Sequence, residues 1–494
     1  MRRAAVGSVV AVLLLAAGCG STVPVSGRAS ATAGGSELGA PTPDAANADA
    51  PGGSSPAGTS GGGSAAAAAP GRTAASAAGK TSATISSTSP NTKPLTLGLL
   101  NLPDTTGVAA AFGAQNYTQG VTWQQATRAL VSYYNAHGGI GGRKIVLVES
   151  TANPAAASYA TEFQAACAKF TQDNHVEAVI TALGTISMES YEACLAKAGA
   201  VNIEAYNLGG ADDVTYNAYP TLFTVGMPSI NRKVAAVLKG LVKSGYLTAK
   251  TKIGVIVEGC PDDLRVYNQT YAPLAKQLGL TVIRRDVDCV NSYSDLGAVA
   301  AQISSAVLPF RSAGVDRVSF ISAVEQLGIL AFSQAAESQG WRPGYALSSS
   351  SQVGANQAQL PAPQLPQMVG VGSLPDVDLT SQTKPTAATT SCRAMLTSQG
   401  LSPGNQQDFS VSDTACDAFS LLADGLARSR GYTTGSALPT ALADLGTAHV
   451  SAAVLTGTTS YDRAHHDGAV EFAPFAYAAA CSCFNYTTAP AELT

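Results

Sequence analysis

At Leu95 the hydrophobic pattern of the chain changes abruptly. From there on, apolar blocks of five to eight residues alternate with amphipathic stretches of twelve to twenty, the rhythm of parallel strands joined by helical crossovers. The pattern predicts strands over 95–100, 144–148, 178–181, 200–205, 222–225, 252–257, 281–287, 317–322 and 344–347. Helices are predicted over 123–137, 155–170, 189–198, 232–244, 264–278, 296–313 and 327–339. Near-continuous apolar strands must be covered on both faces, so the expected fold class is α/β with doubly wound sheets and right-handed crossovers. The opening order of strand, loop and long helix occurs twice, from Leu95 and from Thr251. We therefore expect one lobe over 93–226 and a second over 227–374, with a first crossing near 223–228. Beyond about Ser373 the pattern loosens into helices over 393–399 and 415–429 and short strands near 450–455 and 475–484. That segment, 375–494, is too small for a core of its own and is expected to pack back on both lobes.

Upstream of Leu95 the chain is of a different kind. Arg2 and Arg3 precede an apolar run over 6–17 that is too short to span a bilayer, so residues 1–18 read as a signal peptide. The run ends Leu15-Ala16-Ala17-Gly18-Cys19, which resembles the lipobox of bacterial lipoproteins, with Ala16 where Leu is usual. The resemblance implies cleavage before Cys19 and its acylation, an anchor in the outer face of a bacterial cell membrane. Residues 19–92 then form a lipidated tether of Ala, Gly, Ser, Thr and Pro. It holds no aromatic residue, the first in the chain being Phe112, and from 20 to 92 it carries only Arg28, Glu37, Asp44, Asp49, Arg72 and Lys80 as charges. Such a stretch cannot bury enough apolar surface to offset its ordering entropy. The net charge of −4 offers no basic field for nucleic acid.

The run Asn135-Ala136-His137-Gly138-Gly139-Ile140-Gly141-Gly142-Arg143-Lys144-Ile145-Val146-Leu147-Val148 resembles the periplasmic branched-chain amino-acid binding proteins of ABC transporters, the type I solute receptors. In residue terms Gly138 suits a left-handed helix cap, Gly139 and Gly141 supply turn conformations, and Ile145 and Leu147 alternate in a strand. Asn153-Pro154 is similar to that family's Asp-Pro helix start. The strand at 252–257 and the late Asp-x-x-Gly hairpin between Tyr461 and Gly468 match it too. The resemblance implies two lobes joined by a multi-crossing hinge, amino-acid transport, a small-molecule ligand in the interlobe cleft, and delivery to an ABC permease on closure. A monomer without cofactor or metal is expected. It also implies a first-lobe disulfide between Cys167 and Cys194. Cys260 and Cys289 both follow strand ends in the second lobe and can meet across neighbouring strands, which leaves Cys392 with Cys416 and Cys481 with Cys483. For eight cysteines, 105 connectivities are formally open.

Ligands of open parallel sheets sit at the carboxyl ends of the strands. The resemblance makes Thr185 and Ser187, after the third strand, the candidates for holding a ligand carboxylate, with Tyr206 and Asn207 as a second contact region and Thr105, Phe112 and Tyr117 from the first loop. The second lobe departs from the family. Glu258-Gly259-Cys260-Pro261-Asp262 stands where an aromatic is usual, and Ser348-Ser349-Ser350-Ser351 where an acidic residue commonly pairs a ligand ammonium. Asp262 or Glu325 remains for that role, with Ser350 as a polar contact. Branched-chain amino acids fit this pattern poorly, and a polar, uncharged or anionic molecule fits better. No Gly-x-Ser-x-Gly elbow or His-Glu-x-x-His is present, so an enzyme is not expected. His465, His466 and Asp467 are expected in a solvated turn. Rival readings are a ligand-sensing receptor without a transporter, a cell-envelope hydrolase and a structural envelope protein.

Overall fold

A computed structural model describes residues 90–102, 120–153, 156–183, 189–205, 210–322, 325–381 and 384–492. Cys19 and the tether lie outside them. Strand β1 (Leu95–Asn101) is buried along almost its whole length and pairs in parallel with β2 (Ile145–Thr151) and β3 (Ala178–Ala182). Strands β4 (Val201–Glu204) and β5 (Leu222–Thr224) complete a five-stranded sheet in the order β2-β1-β3-β4-β5. Its crossovers are helices α1 (Trp123–Ala136), α2 (Tyr159–Ala168), α3 (Glu189–Ala198) and α4 (Asp213–Ala218). Thr122 and Gln125 close a capping box at the start of α1. The Asn-Pro signal did not mark a helix start: Ser158 occupies the cap position of α2, five residues later, and Pro154 lies outside the described residues.

The second sheet begins after helix α5 (Ile230–Lys243). It contains β6 (Lys252–Glu258), β7 (Thr281–Val287), β8 (Arg317–Ile321), β9 (Gly344–Ser348), β10 (Met368–Gly372), β11 (Glu471–Ala478) and β12 (Cys483–Tyr486), in the order β12-β11-β10-β9-β8-β6-β7. Helices α6 (Pro261–Val266), α7 (Asp295–Ser305) and α8 (Glu325–Ser338) lie between these strands. Strand β10 carries two glycines in five residues, which hid it from pattern reading. Gly370 is obligatory there, because a Cβ would lie 2.2 Å from the Phe475 ring of the adjacent antiparallel strand. The region 450–455 holds only an isolated bridge between Val450 and Thr458 rather than a strand.

The C-terminal part serves both sheets. Helices α9 (Ala387–Ser398), α10 (Gln406–Arg428) and α11 (Ala437–Ala443) pack on the first, where Phe419, Leu422 and Leu442 share a core with Leu97, Leu130 and Ile180. Strands β11 and β12 extend the second. The glycine-rich run closes the same assembly. Gly139 has φ +92°, and a Cβ there would meet the Arg143 carbonyl oxygen at 2.0 Å. Arg143, fully buried, donates to the Lys93, Pro94 and Gly431 carbonyls and to Glu177 at 2.6 Å. The motif is thus a clamp for β1, β3 and the C-terminal segment, a role its sequence did not reveal.

The lobes are joined by crossings at 225–229, 373–386 and 446–470. Met227, Leu374, Val377, Ala453, Val454 and Ala469 from all three form one small apolar cluster. Asp467 is buried among them, accepting from the Ser229 backbone N–H at 2.5 Å and pairing with the Arg232 guanidinium, which also donates to the Ala469 carbonyl at 2.5 Å. His466 is buried too, stacked on Phe223 at 4.5 Å, with Nδ1 on the Leu222 carbonyl. Of the expected solvated turn, only His465 is exposed, facing Asp462. The sequence pattern of adjacent polar residues gave no sign that two of them belong to the hinge.

The structure joins Cys167 to Cys194, Cys260 to Cys289, Cys392 to Cys416 and Cys481 to Cys483. Beside the third bridge, His449 is held between two carboxylates, Nε2 3.0 Å from Asp417 and Nδ1 2.8 Å from Asp424. Burial opposes its charge, but the hydrogen bonds and charges of both aspartates outweigh that and carry it up to about 9. A histidine raised above its unfolded value of about 6.5 contributes stability that is complete below that pH and lost as pH rises through 9. The melting temperature should therefore fall between pH 7 and 9.5, and His449→Gln, measured by calorimetry across the same range, should remove most of that alkaline decline.

Candidate functional site

Thr105, Phe112, Tyr117, Thr185, Ser187, Tyr206 and Asn207 fall in 103–119, 184–188 and 206–209, which follow β1, β3 and β4 in sequence and lie outside the described residues. At the carboxyl edge of the first sheet, described residues of the strands and of the helices that follow them form a buried polar chain. Thr181 donates to Asn202 Oδ1 at 2.7 Å, Asn202 Nδ2 donates to Glu192 at 2.7 Å, and Thr224 donates to Glu204 at 3.2 Å while its hydroxyl meets that of Tyr216 at 2.5 Å. Burial and the charge of Glu204 push the Glu192 carboxyl well above the usual carboxylate range. The floor of this edge thus carries two buried carboxyl groups behind hydroxyl and amide groups. Neither glutamate stood out in the sequence, because both lie within ordinary strand and helix patterns.

The carboxyl edge of the second sheet is built the same way. Glu258, the last residue of β6, accepts from the Ser322 hydroxyl at 2.6 Å and from the Val290 N–H at 3.0 Å. Glu325, first residue of α8, accepts from the Ser348 N–H at 3.0 Å and its hydroxyl at 2.6 Å. Lys233, from the first turn of α5, donates to Ser350 Oγ at 2.8 Å. The structure thus brings together the predicted residues Glu325 and Ser350, both fully buried, through a lysine that the sequence reading missed. Burial lowers the Lys233 ammonium and raises the Glu325 carboxyl, and the charge of each acts against the shift of the other. The other serines of the run also face inward: Ser349 donates to Asp378 at 3.1 Å and Ser351 to the Ser348 carbonyl at 2.6 Å. Burial pushes the Asp378 carboxyl up to about 7, against the hydrogen bonds from Tyr486 and Ser349.

Asp262 stands apart from that network in the first turn of α6, partly buried, its carboxyl raised by burial. Sulfur and carboxylate ligand atoms come within 4.8 Å of one another in the groups Glu258, Cys260, Cys289 and Cys260, Asp262, Asp263. Cys260 is part of a disulfide, which offers no thiolate to a metal. Three residues beyond Asp262, Arg265 reaches across to the first lobe. Its Nε lies 2.6 Å and its Nη2 3.2 Å from the two oxygens of Asp212, the cap of α4. Far from that point in sequence, the Tyr159 N–H of α2 donates to the Asn291 carbonyl, just after β7, at 3.0 Å. Segments that follow strands of the two sheets therefore meet.

Comparison with known proteins agrees with this architecture. The sequence profile described as periplasmic binding protein matches residues 102–475. No curated protein matches by sequence. Among solved structures, an ABC transporter substrate-binding protein from Desulfitobacterium hafniense in complex with Leu is similar at TM-score 0.54 and 16% identity, covering 80% of this chain and 99% of that one. A leucine-binding protein from Thermotoga maritima is similar at TM-score 0.56 and 12% identity, covering 81% and 99%. A solute-binding protein of an ABC transporter from R. palustris in complex with benzoate is similar at TM-score 0.54 and 16% identity, covering 80% and 95%.

Lys233 is a buried cation whose charge opposes the burial penalty on Glu325, and removing it leaves a buried carboxyl and the Ser350 hydroxyl without that partner, at a cost of roughly 1–3 kcal/mol. Lys233→Ala should therefore lower the free energy of unfolding in urea by about that amount. Adding Glu325→Gln should restore a substantial part, the signature of direct coupling in a double-mutant cycle.

Proposed function

The chain belongs to the periplasmic binding protein family, and on that premise we propose that it is an extracytoplasmic receptor that captures a small polar molecule between its lobes. Membership places it outside the cytoplasm of a bacterium. In this reading acylated Cys19 anchors the chain to the membrane, residues 19–92 act as the tether, and the loaded monomer hands its ligand to an ABC permease. The observation that carries the reading is the contact between segments at the carboxyl ends of the two sheets, each backed by a buried polar network. In such an arrangement helix N-termini and strand-end hydroxyls from both sides converge on whatever lies between.

Capture works by differential affinity. A ligand held by one face gains further contacts only when the lobes close, so it shifts the equilibrium towards the closed form. Thr185, Ser187, Tyr206 and Asn207 supply the first-lobe contacts in this proposal, and Thr105, Phe112 and Tyr117 cover the mouth. Asp262 offers the second lobe a carboxyl at the cleft. Glu325 and Ser350 act from behind, through Lys233, by fixing the shape of the turn after β9.

A thermal-shift screen of leucine, other amino acids, benzoate, amides, ureas and short peptides tests this. A ligand at 100 times its Kd should stabilise the protein by about 2.7 kcal/mol. Small-angle scattering should show compaction with each hit. Thr185→Ala combined with Tyr206→Ala should weaken binding with the melting temperature of the unliganded protein unchanged. A genuine ligand that produces no compaction would count against the clamp.

A further inference from the structure

We propose that the Cys260–Cys289 disulfide is a positioning element for lobe closure, because it fixes together the two second-lobe segments that bridge to the first lobe. This role rests on the clamp described above. Cys260 caps α6, the helix that carries Arg265, and Cys289 lies two residues before Asn291. Arg265 and Asn291 make the Asp212 and Tyr159 contacts across the cleft. Both segments extend from the carboxyl ends of adjacent parallel strands, β6 and β7, whose ladder ends at Glu258 and Val287. Past the ladder, the Gly259 N–H donates to the Val287 carbonyl at 2.8 Å and the Val290 N–H to Glu258, and the disulfide is the covalent link between the two. Without it those two hydrogen bonds would be left to hold the segments together past the ladder. With it, Arg265 and Asn291 move as one lip.

The two contacts differ in what they contribute. The Asp212 carboxylate already caps α4 through the Thr215 N–H at 2.9 Å, and burial of that carboxyl is offset by the Arg265 guanidinium and Thr215, so that its affinity for a proton is lowered. Open lobes would leave this buried carboxylate without its cation. At the other contact, Tyr159 is the first residue of α2, and the first N–H groups of a helix have no partner within it. Ser158 makes no side-chain cap hydrogen bond either. The Asn291 carbonyl, from the opposing lobe, therefore satisfies this helix N–H. Asn291 is itself held in place, its N–H donating to Asp295 at 3.0 Å and its side chain to the Cys289 carbonyl at 3.1 Å. Tyr159, Phe163 and Tyr191 of the first lobe share an apolar cluster with Val287, Val290 and Leu296 of the second, with Tyr293 packed against it, so the seam around this bond is apolar.

The Tyr159 amide is thus a reporter of closure that needs no ligand. Hydrogen exchange on the full chain, resolved to that amide, compares wild type with Cys260→Ser/Cys289→Ser. Exchange at Tyr159 should rise roughly tenfold or more in the variant while amides of β3 and β8 keep their protection. Unchanged exchange at Tyr159 overturns the proposal. If β8 also loses protection, Arg265→Ala decides, since it keeps the disulfide and removes only the distant contact. A rise of roughly threefold or more at Tyr159 then shows the lip acting as one unit, and no rise overturns it. Neither result depends on a ligand, so failure here leaves ligand capture standing, and failure of the ligand screen leaves this measurement interpretable.

Discussion

The buried carboxylate of Asp467 holds the relation of the two lobes. Burial raises its carboxyl, and the Arg232 guanidinium and Ser229 N–H act against that shift. A buried charge is tolerable only when its partners are in place, so the first and third crossings are fixed against each other at this point. His466, stacked on Phe223, and Tyr461, whose hydroxyl donates to the Thr224 carbonyl at 3.0 Å, extend the same joint to the end of the first sheet. The placement of the two carboxyl edges depends on this joint, because a rotation about it displaces points in proportion to their distance from the axis.

Neither lobe is a contiguous piece of chain. The first sheet has strands from 95 to 224 but is covered by helices from 387 to 443, and the second has strands from 252 to 372 completed by β11 and β12. Arg143 shows the consequence at one residue, since its guanidinium bonds the Lys93 and Pro94 carbonyls just before β1 and the Gly431 carbonyl 288 positions downstream of Arg143 itself. Native cores that need such distant segments close large loops before their contacts form, which is entropically expensive. Three of the four disulfides span 24 to 29 residues and the fourth spans two. They brace local pieces and do not cross the hinge.

The cleft floor differs in kind from its hydroxyl-rich sequence. Ser348 to Ser351 are spent on an internal network with Glu325, Lys233 and Asp378, so those hydroxyls shape the turn after β9 and are not a free binding surface. Behind the first-lobe edge stand Glu192 and Glu204, and behind the second Glu258 and Glu325. Burial and the charge of Glu204 hold the Glu192 carboxyl well above the usual carboxylate range, and burial raises that of Glu325 against the charge of Lys233.

Alternating apolar blocks were enough to determine the α/β class and nine of the strands, because strands buried on both faces leave a signal that depends on local composition alone. The glycine-rich run after α1 likewise identified the family, since positive φ and close backbone approach exclude other residues there. What tertiary structure decided were contacts between residues remote in sequence: Asp467 with Arg232, Lys233 with Ser350, His449 with Asp417, and Arg265 with Asp212. No local pattern marks a charged side chain as buried, because its partner lies on another element and only folding brings the two together. For the same reason His466 and Asp467 read as a solvated turn until Phe223 and Ser229 were found against them.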